Sequence, residues 1–243
     1  MSCPVVILSP VMPIWDEGAF CAPLTKLCAT KGFQVTPLDT LSLFPKSAHF
    51  LNHSAIEILS FMIEELKEYF KEPAVFVGFS MAGMLVQILA SRLLNVRAVL
   101  AVNAPGYPDK LLQRRLGDIL FHLENNDLAG ALEILNVFMH SYGGTKKRVA
   151  LEIPKDQKSI AIERMTRGFK LLLALDARNE IVKYRGKFLA LVGEKSQLAT
   201  VDNQTKSQCV NHEYRIISGA ATRLWDDNPV MTNAIVSEWM EGL

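Results

Sequence analysis

Apolar residues along this chain fall into two kinds of pattern. Short uninterrupted runs occur at Pro4 to Leu8 (PVVIL), Gln34 to Pro37 (QVTP), Ala74 to Val77 (AVFV) and Val96 to Val102 (VRAVLAV). Between them, apolar positions recur every three to four residues, which predicts helices. Ala19 to Lys31 is the first, with Gly32 as its stop signal. The second runs from a Ser54 cap to about Phe70, with Ile58, Met62, Leu66 and Tyr69 on one stripe. Met84 to Leu93 is the third. Strands without polar alternation suit a parallel sheet covered on both faces. Their alternation with helices predicts an α/β architecture.

The rhythm then changes. Residues 106–184 carry helical patterns at Leu111 to Glu124, Leu128 to Tyr142 and Lys158 to Asp176, and no strand pattern. Strands return at Lys187 to Val192 (KFLALV) and Tyr214 to Ser218 (YRIIS). A last helix is expected from Pro229 to Gly242, with Asp226, Asp227 and Asn228 as cap candidates. The expected division is a core of residues 1–105 and 185–243, with a helical insert over 106–184.

Composition narrows the classes. The chain has 243 residues, 49% hydrophobic and 21% charged, with a net charge of +1. Such a chain folds without disulfide or metal staples, and it is not disordered. With 26 basic against 25 acidic residues there is no excess to neutralise phosphates, so nucleic-acid binding is disfavoured. No apolar run approaches the roughly 18 residues of a membrane span. The opening stretch MSCPVVILSPVMP lacks the features of a signal peptide. Cys3, Cys21, Cys28 and Cys209 fit no C-x-x-C spacing, and read as buried free thiols of a cytoplasmic protein. No metal or cofactor is expected.

The sharpest chemical signal is Gly78-Phe79-Ser80-Met81-Ala82-Gly83, a G-x-S-x-A-G motif between a strand and a helix. A serine there sits on a tight turn, with its hydroxyl above the C-terminal edge of the sheet. The next backbone N–H, that of Met81, then points at any oxyanion formed at the site.

With this motif and its element order the chain resembles the α/β-hydrolase family over nearly all its length. The ending LALVGEKS, then YRIISGAATRLWDDNP, is similar to that family's last two strands and their loops. The resemblance implies an α/β-hydrolase fold: a mostly parallel sheet of about six strands, beginning at the strand before the oxyanion loop, with the helical insert as a cap over the site. It implies Ser80 as nucleophile and the backbone N–H groups of Val11 and Met81 as oxyanion donors. It also exposes departures. Ser9-Pro10 replaces the family's His-Gly, Ser196 stands where the triad acid belongs, and Thr222 stands where the histidine belongs. An alternative acid position falls near Asn103. Losing part of such a triad costs on the order of 10⁴ to 10⁶ in rate.

A relocated base would come from His49, His53 or His140, which lie on segments opening toward the site, whereas His122 is a further cap residue and His212 lies on the far edge. Asp39, Glu194 and Asp202 are loop carboxylates able to orient a base, more simply read as solvated. Phe44, Phe50, Phe121, Phe138, Met139 and Phe169 either line an apolar acyl pocket or form cap core. Lys146-Lys147-Arg148 reads as a solvated loop, or as a dock for coenzyme A phosphates or an acidic carrier protein. The functional expectation is acyl chemistry by an esterase, thioesterase or acyltransferase on a small to medium apolar acyl substrate. The alternatives are a lyase or cyclase, or a catalytically inactive binding or scaffold protein using the same pocket.

Overall fold

The computed structural model describes residues 3–45, 53–142 and 152–243. Six strands form one sheet: β1 (Val5–Leu8), β2 (Val35–Leu38), β3 (Ala74–Phe79), β4 (Val96–Val102), β5 (Lys187–Gly193) and β6 (His212–Ile217). Their order is β2-β1-β3-β4-β5-β6, and every neighbouring pair is parallel. Parallel strands need crossovers, and helices supply them: α1 (Ala22–Thr30), α2 (Ala55–Tyr69) and α3 (Met81–Leu89) link the first four strands. Between β4 and β5 run α4 (Lys110–Glu124), α5 (Leu128–Met139), α6 (Lys158–Ala174) and the single turn α7 (Arg178–Ile181). The short α8 (Leu224–Asp227) and α9 (Pro229–Glu241) close the chain.

Strand residues alternate between two cores, because successive side chains leave opposite faces. Val5 and Ile7, Val75 and Val77, and Leu189 and Leu191 pack with Leu24, Val236 and Trp239 of α1 and α9. Val6 and Leu8, Phe76, and Phe188 and Ala190 pack with Met62, Met84, Leu85 and the helices after β4. Both faces of the central strands are covered, which is why β1, β3 and β5 are nearly continuous apolar runs. No helix among the described residues is long and apolar enough to cross a membrane.

Several local readings need correction. On α2 the buried stripe is Ile58, Leu59, Met62 and Leu66, while Tyr69, the last helical residue, is exposed. Helix α3 spans Met81–Leu89 rather than Met84 to Leu93, because it starts directly at the turn after β3. Leu93 extends the apolar pattern past the helix end by packing into the core from a turn. Helix α5 ends at Met139, and β6 begins two residues earlier, at His212. Of the cysteines, Cys21 and Cys28 are buried, but Cys3 and Cys209 are only half-buried; all four are free.

Candidate active site

Ser80 follows β3 and serves as the N-cap of α3 with φ 52° and ψ −118°. That backbone conformation is one an L-residue rarely adopts. Its hydroxyl makes no capping hydrogen bond to the helix, so only its backbone takes part in the cap. Instead its carbonyl accepts from Gly83 N at 3.0 Å and Met84 N at 3.3 Å, and its N–H donates to Val102 O at 3.0 Å. Two glycines permit the turn. A Cβ on Gly78 would lie 2.2 Å from the Ala82 carbonyl oxygen, and one on Gly83 would lie 2.3 Å from Ala104 Cβ.

The strand register fixes what surrounds Ser80. Leu8 pairs with Gly78, so Ser9, Pro10 and Val11 leave β1 beside the serine turn. Ser9 is tied to the loop after β2: Thr40 N donates to its Oγ at 3.2 Å, and Thr40 Oγ1 donates to its carbonyl at 2.7 Å. The N–H of Val11 and of Met81 make no hydrogen bond to a described residue. For Met81 this follows from its place as the first helical residue.

Helix α6 closes over this loop. Arg164 forks onto Asp39, both N···O contacts at 2.9 Å, and donates from Nε to the Met12 carbonyl at 3.2 Å. Gly168, one turn on, faces Val11; a Cβ there would come within 2.5 Å of Val11 Cγ2. Asp39 is therefore a buried, paired carboxylate, not a solvated one.

On the other side of Ser80, Asn103 and Ser196 meet. Asn103, with φ 43°, follows β4, and its Nδ2 donates to Ser196 Oγ at 3.0 Å. Its Oδ1 accepts from Gly193 N at 3.0 Å. Both side chains are buried. An uncharged amide and hydroxyl thus satisfy each other. The loops carrying Ser196 and Thr222 touch backbone to backbone: Lys195 N donates to Ala220 O at 2.8 Å, and a Cβ on Gly193 would lie 2.0 Å from the Ala221 oxygen. Thr222 lies beside a narrow cleft lined by Phe20, Phe79, Leu224 and Trp225, and its buried hydroxyl has no partner among the described residues. Phe79 packs edge-on against Phe20, with ring centroids 5.4 Å apart.

The remaining candidates have other partners. His53 Nδ1 lies 3.9 Å from Glu57 at the start of α2. His140 caps α5, its Nδ1 bonded to Asn136 O at 2.7 Å. His122 pairs with Asp127 at 2.7 Å, and His212 is buried between Tyr184 and Phe188. His49, Phe50 and Lys146-Lys147-Arg148 lie outside the described residues. Glu194 accepts from Gly219 N at 2.7 Å, which with Ser218 holds its carboxyl below the usual range. Asp202 is exposed, and its carbonyl accepts from Tyr107 Oη at 3.0 Å. Burial, and for Cys21 the Asp16 charge, push the Cys21 and Cys28 thiols up to about 12, so they stay protonated and are no nucleophiles. Phe44 and Phe169 are buried, but Phe121 is exposed and lines with Phe138 a groove of about 360 Å³ on the α4–α5 hairpin. Phe121 is thus neither site lining nor core. The Asn103–Ser196 bond and the Arg164 fork were missed by sequence reasoning; both join residues 93 or more positions apart, and no local pattern marks them.

No family model matches the sequence, and no curated protein matches it. Solved structures do match in fold. An α/β hydrolase enzyme from a Medee basin deep-sea metagenome library has a TM-score of 0.76 and 14% identity, covering 99% of this chain and 90% of that one. A bromoperoxidase from Bacillus anthracis gives 0.73 and 16%, over 99% and 92%. An enol-lactonase from Burkholderia xenovorans LB400 gives 0.71 and 15%, also over 99% and 92%. The chain has the α/β-hydrolase fold.

Proposed function

We propose that this chain carries acyl chemistry at Ser80, on a small to medium apolar acyl group delivered free, on coenzyme A or on a carrier protein. Ser80 is the nucleophile, the N–H groups of Val11 and Met81 hold the oxyanion, and residues 106–184 form the cap. The observation that carries this reading is the backbone of Ser80, at φ 52° and ψ −118°. Such a conformation costs about 1–3 kcal/mol and persists where the surroundings impose it, typically at a functional turn. The enol-lactonase among the structural neighbours is named for a substrate with an acyl–oxygen bond, in keeping with this class. Without a carboxylate at Ser196 or Asn103 and a histidine at Thr222, Ser80 reacts slowly with generic esters.

A fluorophosphonate probe tests this. Phosphonylation is expected over hours rather than minutes, at one site, and not in Ser80→Ala. Alanine changes at His49, His53 and His140 then ask whether one of them serves as the base. Absence of labelling after a day would sink the acyl reading.

The neutral Asn103–Ser196 pair favours a second reading. Here the pocket binds a carbonyl or enolate without covalent attack, in a lyase, a cyclase or a binding protein. Turnover of a specific metabolite that survives Ser80→Ala would select it.

A further inference from the structure

Helix α6 touches the oxyanion loop at two places one turn apart. Arg164 bonds to Met12 O while forked onto Asp39, itself fixed by accepting from Leu41 N. Gly168 is buried with no side chain between the helix and Val11. The stretch Val11–Met12 thus has its carbonyl end held by a guanidinium and its side chain seated against a bare helix face. The other end is fixed by Ser9 and Thr40, both fully buried. Pro10 between them limits the backbone further. With both ends held, the direction of the Val11 N–H depends on where α6 lies.

We propose that Arg164 and Gly168 are positioning residues of the oxyanion hole: α6, docked through the Asp39 pair, sets the Val11 N–H toward Ser80, and undocking it disorganises the hole. This rests on the proposed acyl chemistry at Ser80. It couples the segment after β4 to the electrostatics of the site, so that a ligand displacing α6 would lower the reactivity of Ser80 without touching the serine. Arg164 acts through Met12 and is not itself a catalytic residue.

The test compares phosphonylation rates at Ser80, followed by intact mass. The serine oxygen bonds to phosphorus, the P–F bond breaks, fluoride leaves, and the hydroxyl proton passes to water. Removing one oxyanion donor costs about 10²–10³ in rate, so misaligning it is expected to cost ~10-fold or more. Arg164→Gln and Gly168→Ala should both show that loss at temperatures where they are folded. Arg164→Lys keeps a charge for Asp39 but removes the guanidinium Nε that donates to the Met12 carbonyl. It should melt near wild type yet label as slowly as Arg164→Gln. Lys170→Gln, which removes the α6 ion pair to Glu124, should leave the rate unchanged. Rescue by Arg164→Lys, or rates within two-fold of wild type in both Arg164→Gln and Gly168→Ala, would overturn the inference. A wild type that never labels would instead sink the acyl reading. The clamp is then read from the Val11 amide resonance, which must shift in Arg164→Gln for the inference to stand.

Discussion

Ser80 is held in a conformation that its own Cβ opposes, and the resulting strain is measurable. Replacing it with glycine removes the β-carbon and lets φ 52° be adopted at little steric cost. The released strain, about 1–3 kcal/mol, is offset by about 0.5–1 kcal/mol of extra chain entropy lost by glycine. Ser80→Gly is therefore expected to be more stable than wild type by about 1 kcal/mol, whereas Ser80→Ala keeps the strain and stays near neutral. Urea unfolding with an unchanged slope reads the difference. A glycine variant less stable than the alanine one by about 0.5–1 kcal/mol, the entropy cost alone, would mean an unstrained turn. Residue identity made this turn legible in sequence, since Gly78 and Gly83 are positions where a Cβ would strike backbone or Ala104. At Ser196 and Thr222 identity spoke only through the resemblance, which sets them at the acid and base positions of a triad. That Asn103 and Ser196 bond to each other was not visible, because neither is unusual until the fold puts them 3.0 Å apart.

Among the elements, every strand was found and its ends read to within two residues, because the central parallel strands, buried on both faces, are continuous apolar runs. Helix ends were read less well. The start of α3 is hidden by the small residues of the turn, and Leu93 prolongs its apolar pattern from outside the helix. Helix α7 is a single turn, too short to show a period, yet it anchors the segment after β4. Its Glu180 accepts from Arg92 at 2.8 Å and Ser91 at 3.0 Å, at the end of α3. Chiefly through the Arg92 bond, its carboxyl is held below the ordinary range. A carboxyl depressed in the folded state contributes stability above its unfolded pKa and loses it as pH falls through the folded one. Wild type should therefore exceed Glu180→Gln by about 0.5–1 kcal/mol near neutrality. The two should converge below the usual carboxylate range. Thermal unfolding across pH checks this, and a gap independent of pH would assign the effect to packing instead.

At the scale of the whole molecule, the parallel topology gathers the turn after β3, the loops after β4 and β5, and the loop after β6 on one edge. Their registers set Phe79 opposite Val102 and Gly193 opposite Ile217. On the proposed reading Ser196 and Thr222 replace the acid and base of a triad, and the loops around them are tied together: Gly193 admits the Ala221 carbonyl closely, and Asp227 accepts from Ala221 N at 2.8 Å. Refilling the two positions should restore part of the chemistry. In Ser196→Asp with Thr222→His, Asn103 Nδ2 can donate to the new carboxylate as it now donates to Ser196. The imidazole must fit beside Phe20, Phe79 and Trp225, which bound the narrow cleft at Thr222. An intact relay is worth 10⁴ or more. Surroundings not built to orient these groups forfeit most of that, so hydrolysis of p-nitrophenyl acetate should rise ~10- to 100-fold over wild type. The gain should vanish when Ser80→Ala is added. A double variant no faster than wild type, though folded, would mean that the loops after β5 and β6 no longer aim at Ser80. Robust wild-type hydrolysis lost in Ser80→Ala would mean that a base already serves the serine from elsewhere, and the refilled positions would then add little.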